Sequence, residues 1–278
     1  MGRTGYQVLS RSPWPFQASM SALGFTTGMV AFFNEGMKGF ALAILVFSVV
    51  LLCHCLARWW SDMVFESTYK GDYTSFVVLN LRWGFKLFIL SEVFFFISFF
   101  WAWFYSGIGE VSQAKLGSWP PVGVKAIYPW RIPLLNTILL LSSGAFANAC
   151  HWGVKAHNVT NDGSLSLRYQ VVALFTLSMA ITLGIAFSYV QGMEYYWSSF
   201  CISDGVYGSC FYMLTGFHGS HVIAGSVFLV VCWFRILMCH FSYRHSYVGL
   251  DCAILYWHFV DVVWILLCFL VYIWGYYI

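Results

Sequence analysis

Seven long apolar runs, separated by short polar or proline-bearing breaks, decide what this chain can fold into. They are Phe16–Phe33, Phe40–Ala57, Phe76–Tyr105, Ile132–Cys150, Leu167–Val190, Val206–Leu237 and Cys252–Tyr277. A helix needs roughly 20 apolar residues to cross the hydrocarbon core of a bilayer, and each run approaches or exceeds that. Only 9% of the residues are charged and 60% are hydrophobic, against about 25% charged in a soluble domain. The expected fold is an all-α membrane protein of seven transmembrane helices. The net charge of +3 is small and spread out, which suits neither nucleic-acid binding nor a polybasic lipid switch.

The breaks are legible. Asn34-Glu35-Gly36 parts the first two runs, and Arg58 to Asp72 the second from the third. Pro120-Pro121 and Pro129 to Pro133 mark a long loop, Asn158 to Gly163 follows the fourth run, and Ser203-Asp204-Gly205 opens the sixth with Asp204 as its cap. An odd number of spans puts the termini on opposite sides. With the N-terminus inside, Arg3, Arg11, Arg58, Lys70, Arg82, Lys86, Lys155, Arg168, Arg235 and Arg244 lie on the inner side. Only Lys38, Lys115, Lys125 and Arg131 then lie outside, so all 14 cations divide in favour of N-inside and C-outside. Gly24-x-x-x-Gly28 in the first run, and Gly216, Ser220 and Ala224 in the sixth, predict helix contacts through small residues. The nine cysteines are scattered through apolar stretches without a C-x-x-C and read as small buried hydrophobes. The N-terminal tail lacks a signal-peptide core and reads as a mature terminus.

Polar groups inside such runs are the candidates for chemistry. Glu92 sits in LFILSEVFFFISFFWAWFY, Leu87–Tyr105, at a depth where a carboxylate costs about 2.5–3.5 kcal/mol on insertion scales. It reads either as a proton-relay carboxyl or as an acid that merely hydrogen-bonds across helices. His218 and His221 stand one turn apart on the sixth run. A metal or haem site and interhelical hydrogen bonding are both open to them, and Glu92 on a neighbouring helix is a chemically reasonable partner. His258 and Asp261 are also one turn apart, and the spacing favours a structural pair. An inner-side set of Arg58, Trp59, Trp60, Asp62, Glu66, Arg235 and His240 mixes cations with indoles, which suits either a phospholipid headgroup or an ordinary interface belt.

A series of motifs then converges. Ser12-Pro13-Trp14-Pro15 opens it, followed by Trp59-Trp60-x-Asp62 with Glu66-Ser67-Thr68, Ser91-Glu92-Val93, Trp119-Pro120-Pro121 and Pro133-Leu134-Leu135-Asn136-Thr137. Ile202-Ser203-Asp204-Gly205-Val206-Tyr207-Gly208-Ser209, Thr215-Gly216-Phe217-His218-Gly219-x-His221-Val222 and Trp257-His258-Phe259-Val260-Asp261-Val262-Val263-Trp264 complete it. From residue 12 to its end the chain resembles the subunit 3 family of cytochrome c oxidases, of the mitochondrial type.

The resemblance implies seven helices in two bundles, a pair within 1–70 and five within 71–278, separated by a V-shaped cleft that holds phospholipids such as phosphatidylglycerol, phosphatidylethanolamine or cardiolipin. It implies a non-catalytic subunit that binds no haem or copper itself. Those centres belong to partner subunits: subunit 1 as the main contact, with subunit 2, accessory subunits and supercomplex partners nearby. The implied role is to stabilise the catalytic subunit and support proton uptake, in the mitochondrial inner membrane with the N-terminus on the matrix side and the C-terminus toward the intermembrane space. Glu92 matches the family's carbodiimide-reactive carboxyl, and Trp60, Glu66 and Arg235 match positions at the lipid cleft. The chain departs from the animal pattern at Ser61 and Phe65, where that pattern has arginines, and at Asp72 and Tyr73, where it has histidines. From the residues alone, two other classes stand beside this one. A redox subunit would ligate metal through His218, His221 and His258, and a secondary transporter would couple protons through Glu92. The absence of a Cys-His-Met constellation and of an internal repeat counts against them.

Overall fold

The computed structural model of the chain describes residues 11–34, 38–109, 119–160, 162–241 and 247–277. Arg3, Glu35, Gly36, Lys115, Asn161 and Arg244, which entered the sequence reading, lie outside the described residues. The chain divides into two compact units, Met1–Val78 and Leu79–Ile278. The long helices, in chain order, are α1 (Trp14–Phe33), α2 (Lys38–Phe65), α3 (Ser75–Ile108), α4 (Ile132–Val159), α5 (Gly163–Trp197), α6 (Gly205–Leu237) and α7 (Val248–Leu267). α2 runs on through a π-helical turn, Glu66–Lys70, and α7 through another, Cys268–Ile273, to Trp274–Tyr277.

Six of these helices are long and apolar enough to cross a membrane: all but α1. The exception follows from Gln17, Ser19, Ser21, Thr26 and Thr27, which dilute its hydropathy. The hydroxyls turn back on their own helix: Ser19 donates to the Phe16 carbonyl, Ser21 to Gln17, Thr26 to Ala22 and Thr27 to Leu23. Folding hydroxyls onto the backbone is how such residues are tolerated in an apolar medium. α1 packs against α2 where Gly24 faces Ser48 and Gly28 faces Leu45, so close that a Cβ at either position would press on them. The α1 small-residue pair is thus a helix contact.

The stripe expected on α6 makes no close helix contact among the described residues. Ser220 and Ala224 are exposed and nothing lies near Gly216. Close packing uses Gly225 instead, where an added Cβ would meet the Trp257 ring at 2.9 Å, together with Gly184 of α5, where it would meet the same ring at 2.7 Å. Hydropathy does not phase a helix that is apolar all round, and this explains why Gly225 was not singled out. A correction concerns Asp204. It precedes α6 but makes no side-chain cap bond. Its Oδ2 accepts from the Cys201 backbone N–H at 2.7 Å instead.

In the second unit α7 is the inner helix. Trp257, Val260, Trp264 and Leu267 are fully enclosed. A buried indole must place its N–H. Trp257 donates to Ser143 Oγ at 2.9 Å and Trp264 to Thr137 Oγ1 at 3.0 Å, both on α4. Trp103 of α3 donates to the Leu270 carbonyl at 3.0 Å. That carbonyl is open because the π turn sends the Trp274 N–H to Phe269 instead. α6 ends in a Schellman motif, with Cys239 left-handed at φ 56°. The His240 N–H bonds to the Arg235 carbonyl and the Cys239 N–H to the Ile236 carbonyl. All nine cysteines are free thiols.

α5 starts with Asp162, whose Oδ1 accepts from the hydroxyl and the backbone N–H of Ser164, each at 2.9 Å. These bonds, the hydroxyl's foremost, hold the carboxyl below its ordinary value of 3.8. A carboxyl with a lowered folded pKa contributes above its unfolded pKa, and that contribution is lost as pH falls through the folded one. Amide-exchange protection at Ser164 is therefore expected to persist at neutral pH and to fade selectively below the ordinary aspartate range. Asp162→Asn should remove that pH dependence.

Candidate functional site

Polar side chains within the second unit gather into four groups. Glu92 of α3 meets His221 of α6, Oε2 to Nε2, at 2.8 Å. The other ring nitrogen, Nδ1, lies 2.7 Å from the Phe217 carbonyl. A carbonyl can only accept, so Nδ1 carries a hydrogen. Nε2 and the carboxyl oxygen then hold one proton between them, as a neutral pair or as an ion pair. The rings of Phe96 and Tyr256 flank the imidazole at 5.2 and 6.2 Å. The pair is partly open, with side-chain exposures of 14% for His221 and 23% for Glu92.

His218, one turn away, does not join that pair. Its Nε2 donates to the Val260 carbonyl of α7 at 3.2 Å, and its ring packs on Phe187 and Trp264. Its bond is a helix–helix tie. His258 and Asp261 do meet, Nδ1 to Oδ2 at 3.2 Å. His258 Nε2 continues to Asn148 Oδ1 of α4 at 2.9 Å. The Asp261 carboxyl occupies the space that Gly144 leaves by having no side chain.

Two further groups escaped the sequence reading. At one end of the unit, Asp251 in the first turn of α7 is held by Arg82 Nη2 of α3 at 2.6 Å and by His151 Nε2 of α4 at 2.7 Å. Near the far end of α5, the buried Glu194 accepts from the Tyr272 hydroxyl at 2.6 Å and from Gln191 Nε2 at 3.1 Å. Gln191 Oε1 in turn accepts from Asn136 Nδ2 at 3.1 Å. The seventh run was drawn from Cys252, one residue past Asp251, and the fifth only to Val190, short of Glu194. α5 runs on to Trp197 because an isolated Gly192 is tolerated within a helix and MEYYW contains no proline.

The inner-side set falls in both units. In the first, Arg58 and Trp60 are exposed, with Trp59 and Glu66 half-buried. Asp62 accepts from Trp14 Nε1 at 2.7 Å and so ties the two helix ends together. In the second, the Arg235 guanidinium lies over the Phe241 ring at 4.4 Å. Burial, and after it the Arg235 charge, holds the His240 imidazole below the ordinary histidine value. Among the described residues no three His, Cys, Asp or Glu side chains converge as a metal site.

The sequence profile of the family described as "Cytochrome c oxidase subunit III" matches residues 4–276. A protein of Arabidopsis thaliana named cytochrome c oxidase subunit 3 is 41% identical over 273 residues, covering 98% of this chain and 97% of its own length. One of the same name from Canis lupus familiaris is 44% identical over 270 residues, covering 97% of each. Another from Lemur catta is 43% identical over 274 residues, covering 98% of this chain and 93% of its own length.

Gly144→Ala should drive a methyl group into the Asp261 carboxyl and destabilise the protein by about 1–3 kcal/mol. The readout is a lower thermal midpoint of the solubilised protein. The double substitution Gly144→Ala with Asp261→Ala is expected to recover part of the loss, because residues in contact are not additive.

Proposed function

The chain belongs to the cytochrome c oxidase subunit III family, and on that premise we propose that it is a non-catalytic core subunit of a mitochondrial cytochrome c oxidase. The observation that carries this reading is the match over nearly the whole length of both this chain and its relatives. In this reading the protein crosses the inner membrane seven times, α1 included. Its N-terminus lies on the matrix side and its C-terminus toward the intermembrane space. Oxygen reduction takes place on haem and copper in partner subunits. This chain buries a face of subunit 1 and contacts subunit 2 and accessory subunits.

A lipid role is part of the proposal. The helices of 1–70 form one bundle and those of 71–278 another, with phospholipids seated in a V-shaped cleft. Arg58, Trp59, Trp60, Glu66, Arg235 and His240 serve headgroups there. A guanidinium binds phosphate through charge-assisted hydrogen bonds, and indoles prefer the carbonyl level of the interface.

A protonic role is the other part. Glu92 and His221 form a pair in which one proton can sit on either partner, 2.8 Å apart. Such a pair can pass its proton from one partner to the other without moving a helix. It is the element of this chain best suited to shape proton delivery to the catalytic subunit. His218, His258 and Asp261 set the helices around it.

Purification in native detergent tests the assignment. A haem- and copper-bearing partner should accompany this chain in stoichiometric amount, and a chain that purifies alone would overturn the reading. Within the complex, Glu92→Gln should abolish carbodiimide labelling of this subunit while haem content stays at its wild-type level. Haem loss in that variant would contradict the division of labour proposed here.

A further inference from the structure

α4 and α7 together present an apolar face, with Leu141, Ala145, Leu255 and Val262 exposed on it. In its midst stand Asn148, also exposed, and His258, whose side chain is 35% exposed. Asn148 lies eleven or more residues from either end of α4, and His258 lies ten residues from the start of α7, whose helix runs on to Tyr277. At 1.5 Å per residue that is about 15 Å, the depth of the bilayer midplane.

The hydrogen-bond inventory of this patch does not close. The Asn148 carboxamide meets His258 Nε2 with one of its two polar atoms. Whichever atom that is, the other has no partner among the described residues, and the residue as a whole is exposed. Behind it, Asp261 Oδ1 is buried and also unpartnered. Lipid tails offer no donor or acceptor, and each unsatisfied polar group in hydrocarbon costs several kcal/mol. Ala145, one turn before Asn148, leaves room for a close backbone approach.

We infer that the α4–α7 face is a docking surface for a transmembrane helix of another oxidase subunit, one that brings a hydroxyl or carboxamide side chain to the midplane to bond Asn148. The occupant is a protein helix because acyl chains cannot satisfy an amide. It is uncharged at that point because Asp261 and His258 already answer each other. This inference rests on the reading of the chain as a subunit of an oxidase complex.

A lipid-borne carbene photoprobe tests it without altering the sequence. Labelling of Leu141, Leu255 and Val262 is measured by mass spectrometry in the intact complex and in the isolated full-length chain, both in nanodiscs. The expected result is labelling at least fivefold lower in the complex. Equal, strong labelling in both would mean that lipid covers the face and would overturn the inference. Weak labelling in both would mean that the chain covers its own face and would overturn it too. Absence of any co-purifying subunit would instead overturn the complex itself, a separate result. As a second measurement, Asn148→Leu is expected to speed detergent-induced dissociation of the subunit by about 3- to 10-fold, the scale of one interhelical hydrogen bond in a membrane. An unchanged dissociation rate would count against the midplane bond.

Discussion

A polar group surrounded by hydrocarbon has no water to fall back on, and the second unit is arranged around that fact. Glu92 and His221 meet across α3 and α6, His218 reaches a carbonyl of α7, and His258 bridges Asp261 and Asn148. The tryptophans obey the same rule. Trp257 and Trp264 fix α7 to α4 through Ser143 and Thr137, and Trp233 fixes α6 to α5 through Ser178. In a medium where lipid tails are as apolar as leucine, burial alone gives helices little reason to associate. Here hydrogen bonds between side chains specify which helix lies next to which, and close packing at Gly184 and Gly225 sets how near they come.

These ties differ in kind. Those of Trp257, Trp264 and His218 are enclosed and end on single acceptors, so they act as structural pins. The Glu92–His221 and His258–Asp261 contacts join a carboxyl to an imidazole, and each has one side facing out of the chain. The unit thus carries enclosed single-acceptor fastenings toward its interior and carboxyl–imidazole pairs nearer its perimeter. The Arg82–Asp251–His151 cluster does a related job at the end of the unit, holding three helices at one carboxylate.

How much of this was legible in the sequence depends on the residue. Glu92 stood out because a lone acid in an apolar run has few harmless explanations, and the helices themselves followed from hydropathy and breaks. The partner of Glu92 could be guessed only from chemistry, because His221 lies 129 residues away and no local spacing encodes that contact. The Gly216 stripe has no partner helix among the described residues, and a helix greasy on every side gives no clue to its inward face. Gly225, the residue in contact with Trp257, carries no signature that distinguishes it from Gly216. Asp251 and Glu194 were missed at the edges of runs drawn too short. A hydropathy threshold discards polar residues at helix ends, where buried ion clusters are cheapest to build.

The wedge at Cys268–Ile273 has its own consequence. One additional residue in a turn advances the chain by about 1.5 Å and rotates it by about 100°, so the last helix has two independent azimuths. Upstream, Trp257 and Trp264 are clocked to α4. Downstream, Trp274 is clocked to Phe104, 5.3 Å away. The wedge uncouples those settings, much as a universal joint lets two shafts be aimed separately. The terminal turn, with Trp274 and Gly275 pressed against Gly107 and Trp103 of α3, is thereby aimed by a different neighbour from the one that aims the turns before it.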